Sequence, residues 1–289
     1  MQLNIFEHSR DVMLRNDVVH ALERRDAPAA LAACDRLAHD YPADASLTDL
    51  RLLADGLAVA AGGAFGEHLA LRQARQAVEA LVPAAERVFG VEAGTKSLSA
   101  LWEGLALRAE ALPFLADSAQ DHAASLWLRA GNWEAAAKAV GTIESWRRIP
   151  APLAWMTEAR LRMLGLQATW PLLAELGWLS PGRLDELLRR CEDPLLSALV
   201  RKFGQSFEGI DGADDAAWFA AWVLTERPDV AEHVSAAQPS RHTPAERAFR
   251  VLIELLGLER KGRQRDIVDR RKALRDLHPS LYAAYMMTR

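Results

Sequence analysis

The 289-residue chain is poor in cysteine and tyrosine, with two and three respectively, and it has almost no alternating runs of valine, isoleucine and threonine. The two cysteines, Cys34 and Cys191, make neither a disulfide framework nor a CxxC pair. The scarcity of strand-like alternation argues against a sheet. Long apolar runs are missing too. The longest, AAWFAAWVL at residues 216 to 224, makes about two and a half helical turns, whereas a bilayer span needs about 18 to 20 apolar residues. The opening MQLNIFEHSRDV turns to charged residues after a short apolar patch and lacks the apolar core of a signal peptide. A cytoplasmic protein is expected. The net charge of −4 gives no general attraction to nucleic acid or to an anionic membrane.

What the chain has in quantity is alanine and leucine, both strong helix formers. Half its residues are apolar and 26% are charged, the composition of a folded rather than a disordered protein. Leu71, Ala74, Val78, Leu81, Ala85 and Val88 step by three and four, as one buried helix face requires. Leu98, Leu101, Leu105, Ala109 and Leu112 repeat the pattern. Helix starts are marked as well. Thr243, Pro244 and Glu246 form a capping-box signature, and Ser46 with Asp49 offers a similar one. Ser180 and Asp193 each stand directly before a proline. The expectation is an all-α chain of about 14 to 16 helices, stacked as antiparallel hairpins. Loops at residues 207 to 215 and 235 to 243 are too short for flexible linkers. One continuous body is therefore favoured, with residues 1 to 235 as its main part and 236 to 289 as a C-terminal helical segment packed on it.

Two stretches carry a resemblance. LWLRAGNWEAAAKAV at residues 126 to 140 is similar to a tetratricopeptide repeat, whose period is 34 residues. With Ala136 on the small position of the second helix, Trp127 falls on the aromatic position of the first. Ala124 then falls on a small position and Val140 on a large one, and GNW occupies the inter-helix turn. The closing proline comes two residues late, at Pro150. A second match sets Ala30 on the small position, with Leu14, Cys34 and Pro42 on the large, large and proline positions and RDA at 25 to 27 in the turn. There Asp17 and Val18 replace a Leu-Gly pair and Ala21 the aromatic. Ala30 and Ala136 lie 106 residues apart, about three repeat lengths. The resemblance implies a superhelix of stacked hairpins that binds protein or peptide.

No stretch carries intact chemistry. GVEAGTKS at residues 90 to 97 approximates a phosphate-binding loop, but its second glycine is misplaced and a helix-like segment precedes it. A helix-to-helix turn is the better reading, with Gly90 ending one helix and Thr95 capping the next. DGADD at 211 to 215 fails as a calcium loop, since Ala213, Ala216 and Trp222 occupy ligand or glycine places. His233, His242 and Glu246 lack a further convergent ligand, and neither HExxH nor GxSxG occurs. Cys34 reads as a buried hydrophobe and Cys191 as a partly exposed thiol. Residues 259 to 275 hold eight basic and three acidic side chains, a local charge of +5. Asp266 and Asp269 among them suggest a solvated, ion-paired helix rather than a nucleic-acid site.

No catalytic residue, metal ligand or cofactor is therefore assigned. The expected function is a non-enzymatic scaffold for a protein or peptide partner, with Trp146, Trp155, Trp218, Trp222, Arg263, Arg270 and Arg271 as candidate contacts. The tryptophans qualify only where they are exposed. The alternatives are an all-α enzyme with acidic and histidine groups drawn from distant helices, and a nucleic-acid factor using the basic C-terminal helix. A homo-oligomer stays open, and no membrane partner is expected.

Overall fold

The computed structural model describes residues 3–59, 62–207, 215–240 and 242–289, and every regular element among them is helical. Nine α-helices come first: α1 (Leu3–Glu23), α2 (Ala27–Asp40), α3 (Leu47–Val59), α4 (His68–Glu79), α5 (Val82–Phe89), α6 (Val91–Ser97), α7 (Ser99–Arg108), α8 (Ala123–Ala130) and α9 (Trp133–Gly141). Eight follow: α10 (Pro150–Leu179), α11 (Pro181–Arg189), α12 (Pro194–Ser206), α13 (Phe219–Glu226), α14 (Ala231–Val234), α15 (Pro244–Arg260), α16 (Gln264–Leu277) and α17 (Pro279–Met287). Setting aside the seven-residue α6 and the four-residue α14, fifteen of these seventeen have eight residues or more. The all-α expectation holds. The chain forms two compact units, residues 1 to 139 and 140 to 289.

In the first unit, neighbours in sequence are mostly neighbours in space. α1 packs on α2, α2 on α3, α5 on α6 and α7 on α8, while α3 also meets α5 and α4 meets α7. α2 shows why. Its Ala30, Ala33, Cys34 and Leu37 recur at three- and four-residue steps and are all buried. The apolar series from Leu71 to Val88, which reads as one helix in sequence, is split between α4 and α5 at Ala80–Leu81. Pro83 explains the break, because it has no N–H to offer the Glu79 carbonyl four residues earlier and its ring clashes with that carbonyl.

One turn geometry occurs three times among the described residues. Between α1 and α2, the Asp26 and Arg25 N–H groups donate to the Ala21 and Leu22 carbonyls, both at 3.0 Å. Between α8 and α9, Asn132 and Gly131 donate to Trp127 and Leu128, again at 3.0 Å. Between α15 and α16, Arg263 and Gly262 donate to Leu258 (3.2 Å) and Glu259 (3.1 Å). This crossed pair closes a helix through one left-handed residue, here Arg25 (φ 59°), Gly131 (φ 76°) and Gly262 (φ 67°). In the first two turns the next side chain starts the following helix. Asp26 accepts from the Ala29 N–H at 3.0 Å and Asn132 from that of Ala135 at 3.1 Å. Matching positions are buried on both sides of these turns: Val18 and Ala124, Ala21 and Trp127, Ala30 and Ala136, Cys34 and Val140.

The second unit is organised around α13, whose residues from Phe219 to Thr225 are all buried. α10, α12, α15 and α17 pack around it. Residues 219 to 224 of the most apolar stretch thus form a core helix, apolar on every side because every side is covered. No helix is long and apolar enough to cross a membrane among the described residues. α10 is two helices meeting at Gly165, whose φ of 76° and ψ of −178° interrupt it. Glycine alone adopts that backbone conformation readily.

The capping signals divide. The Thr243 hydroxyl accepts from the Glu246 N–H at 3.2 Å, while the buried Glu246 carboxylate accepts from the His242 (2.8 Å) and Ser240 (3.0 Å) N–H groups. Asp193 caps α12 through the Leu196 N–H at 2.8 Å, and Ser180 precedes α11 without a side-chain cap bond. Ser46 does not form the expected box. Its N–H and hydroxyl donate to Asp44, and Asp49 pairs instead with Arg87 at 2.7 Å.

Candidate functional site: an apolar cavity with a charged rim

A cavity of about 360 Å³ opens in the first unit. Its apolar wall comes from Leu22 on α1, Leu53 and Leu57 on α3, Phe89 on α5, and Leu98 and Leu101 beside and on α7. Ala93, Lys96 and Ser97 of α6, Glu23 at the end of α1 and Arg25 in the α1–α2 turn complete it. Such a volume lies within the range of about 300 to 1,000 Å³ typical of small-ligand pockets. The side chains of Arg25 and Lys96 form no hydrogen bond or ion pair among the described residues.

The stretch GVEAGTKS contributes to this wall, though not as a phosphate cradle. Gly90 (φ 82°) closes α5. Thr95 lies inside α6, where its hydroxyl donates to the Val91 carbonyl at 3.0 Å, so it does not cap the next helix as expected. Gly94 is a contact residue. A Cβ there would stand 2.8 Å from the backbone of Ala85 and Glu86, so glycine lets α6 lie directly against α5. That close approach holds Ala93 and Lys96 at the cavity.

Buried carboxylates elsewhere are already engaged. Asp121, 2% exposed, accepts from Arg72 and Arg75, each through Nε at 2.8 Å. Arg75 and Arg129 converge on Glu79, and Arg129 lies 4.8 Å from the Trp102 ring centre. These hydrogen bonds hold the Asp121 and Glu79 carboxyls below the usual carboxylate range against the opposing effect of burial. In the second unit Glu175 accepts from Arg147 twice, at 2.5 Å, and from the Gln238 N–H at 2.7 Å. Burial raises both thiols, Cys34 and Cys191, and keeps them protonated. No group of three or more His, Cys, Asp or Glu side chains is placed to hold a metal among the described residues.

The sequence-nominated contacts are dispersed. Trp155, Trp218 and Trp222 are buried and Trp146 is half-buried. Trp222 packs on Phe203, with ring centres 5.2 Å apart, and Trp218 on His278 at 4.3 Å. Trp218 ends a 3-10 turn directly before α13 and Trp222 lies within α13, and both are buried in the core. Arg263 pairs with Asp266 (2.6 Å), Arg270 with Glu254 (2.8 Å), and Arg271 contacts Tyr285 (3.2 Å) and Glu259 (3.4 Å). The last two arginines tie α16 to α15. Of the acidic stretch DGADD at 211 to 215, residues 211 to 214 lie outside the described residues, and Asp215 opens the 3-10 turn before α13. Sequence reasoning missed the cavity because its walls come from five helices, α1, α3, α5, α6 and α7, spread over about 80 residues. The only local signal was a positive-φ turn occupied by Arg25, which no side-chain pattern announces. Comparisons with protein-family models, curated proteins and solved structures find no match to this chain.

Proposed function

We propose that the chain is a non-enzymatic scaffold of the tetratricopeptide-like class, located in the cytoplasm, that binds a protein or peptide partner. One observation carries the reading: the two stretches aligned in sequence make the same crossed turn, cap the following helix alike and bury the same four positions. A unit built this way presents helix faces that its own hairpin leaves uncovered, which is the physical basis of partner binding in stacked-hairpin proteins. Engagement of Asp121, Glu79 and Glu175 by arginines supports a structural role for those acids and weighs against a dispersed acid–base site. Pairing of Arg263, Arg270 and Arg271 likewise weighs against a phosphate-binding surface.

The test is selection from a random peptide library on the immobilised full chain, followed by solution affinity measurement. The expected outcome is a family of related peptides that bind one-to-one at micromolar concentration. Recovery of no related sequences, or binding that vanishes at moderate salt, would reject the proposal.

A further inference from the structure

The cavity in the first unit has features that a mere packing fault would not have. Its interior is apolar, while its solvent-exposed rim carries two cations without partners among the described residues, Arg25 and Lys96, and one anion, Glu23. The position of Arg25 is the telling feature. Of the three crossed turns, two place glycine at the left-handed residue, Gly131 and Gly262. Glycine is favoured there because a Cβ crowds the backbone at positive φ. The third turn keeps a long cationic side chain in the same strained conformation, and it is the turn whose side chain lines the cavity. Backbone strain retained where a better residue exists points to a use for the side chain.

We propose that this cavity binds an amphipathic monocarboxylic acid of fatty-acid type. The hydrocarbon tail lies against Leu22, Leu53, Leu57, Phe89, Leu98 and Leu101, and the carboxylate sits at the rim between Arg25 and Lys96. Both halves of the ligand follow from the lining. Apolar walls reward a tail in proportion to the area removed from water, and cations without internal partners attract a carboxylate. The rim limits the charge: Arg25, Lys96 and Glu23 sum to +1, so one negative charge is matched and a second is not. The cavity is too small for a folded element of a partner protein, since a helix with its side chains is about 10 to 12 Å across. This site is independent of the scaffold reading, and a chain that selects no peptide still takes the acid.

The test is calorimetric titration of the full chain with decanoate, decan-1-ol and the dicarboxylate sebacate, each below its aggregation concentration. Decanoate is expected to bind one-to-one with a Kd of about 1 mM or tighter. Decan-1-ol and sebacate are each expected to bind at least about tenfold more weakly, the factor that one charge contact supplies. Arg25→Gly and Lys96→Gln should each weaken decanoate by a similar factor and leave decan-1-ol unchanged. Arg25→Gly relieves the turn, so its melting temperature should equal or exceed that of the parent chain, which separates lost binding from lost folding. Lys261→Gln, remote in sequence and in the other unit, should change nothing. The proposal is overturned by absence of saturable decanoate binding, by more than one equivalent bound, by decan-1-ol binding as tightly as decanoate, or by unchanged affinity in both rim variants.

Discussion

His122 should make this protein lose stability as the pH falls from 7 to 5, before its carboxylates begin to titrate. Its imidazole caps α8, with Nδ1 accepting from the Ala124 N–H at 3.2 Å, and Phe114 meets it edge-on with ring centres 5.8 Å apart. The residue is 5% exposed. Burial, with a smaller contribution from His68, pushes its pKa from 6.5 down to about 4. The unfolded chain therefore binds a proton in a range where the folded chain does not, so stability must fall as pH falls. Linkage between those two pKa values gives a loss of about 2 kcal/mol from pH 7 to 5, of a total near 3 kcal/mol at lower pH. That is a substantial part of the 5 to 15 kcal/mol typical of a domain. Urea unfolding at half-unit pH steps measures it. His122→Asn keeps an acceptor at the cap and removes the titration, so its stability should vary less with pH by about 2 kcal/mol over that range. An unchanged pH slope in this variant, or an NMR titration midpoint near 6.5 for His122 in the folded chain, would refute the reasoning.

Other perturbations have definite expected outcomes. Burial also lowers His278, whose Nδ1 accepts from the Leu281 N–H at 3.1 Å, so His278→Asn should remove part of the acid sensitivity that His122→Asn leaves behind. Arg25→Gly should stabilise the chain by about 0.5 to 1 kcal/mol, whereas Gly131→Ala and Gly262→Ala should each destabilise it by about 1 kcal/mol, all read from denaturant midpoints. Gly94→Val should cost about 1 to 3 kcal/mol, because α5 and α6 must separate to admit its side chain. Asp121→Ala should cost about 3 to 5 kcal/mol by leaving Arg75 buried with only one acidic partner, and the double variant with Arg75→Met should recover part of that loss.

Local order was legible wherever backbone chemistry decides it. Asp193, Thr243 and the prolines after them mark helix starts because a capping acceptor and a missing N–H act within one turn. Glu246 was recognisable as part of a cap, but its carboxylate reaches the N–H groups of His242 and Ser240, a loop path that spacing does not specify. Ser46 misled for a related reason: Asp44, two residues before it, competes for its hydroxyl. Trp218 and Trp222 show the limit of periodicity. A spacing of four reads as one helix face, and whether the two rings meet water or Phe203 and His278 depends on helices drawn from elsewhere in the chain.

Composition and period by themselves determined an all-helical chain, because alanine and leucine at three- and four-residue steps have no stable arrangement except helices that bury a stripe. They also marked the turn at Gly131, where a residue without a Cβ follows the last helical turn, whereas residues 259 to 275 read as one helix and the structure breaks them at Gly262, between α15 and α16. Only the tertiary structure decided which stripes meet. It buried residues 219 to 224 on all sides, set α6 on α5 through Gly94, and gathered Leu22, Leu53, Leu57, Phe89 and Lys96 around one cavity. Hydrogen bonds within a turn are short-range and leave a local signature. Packing between distant helices is non-directional, so many pairings satisfy the same apolar pattern until the whole unit closes.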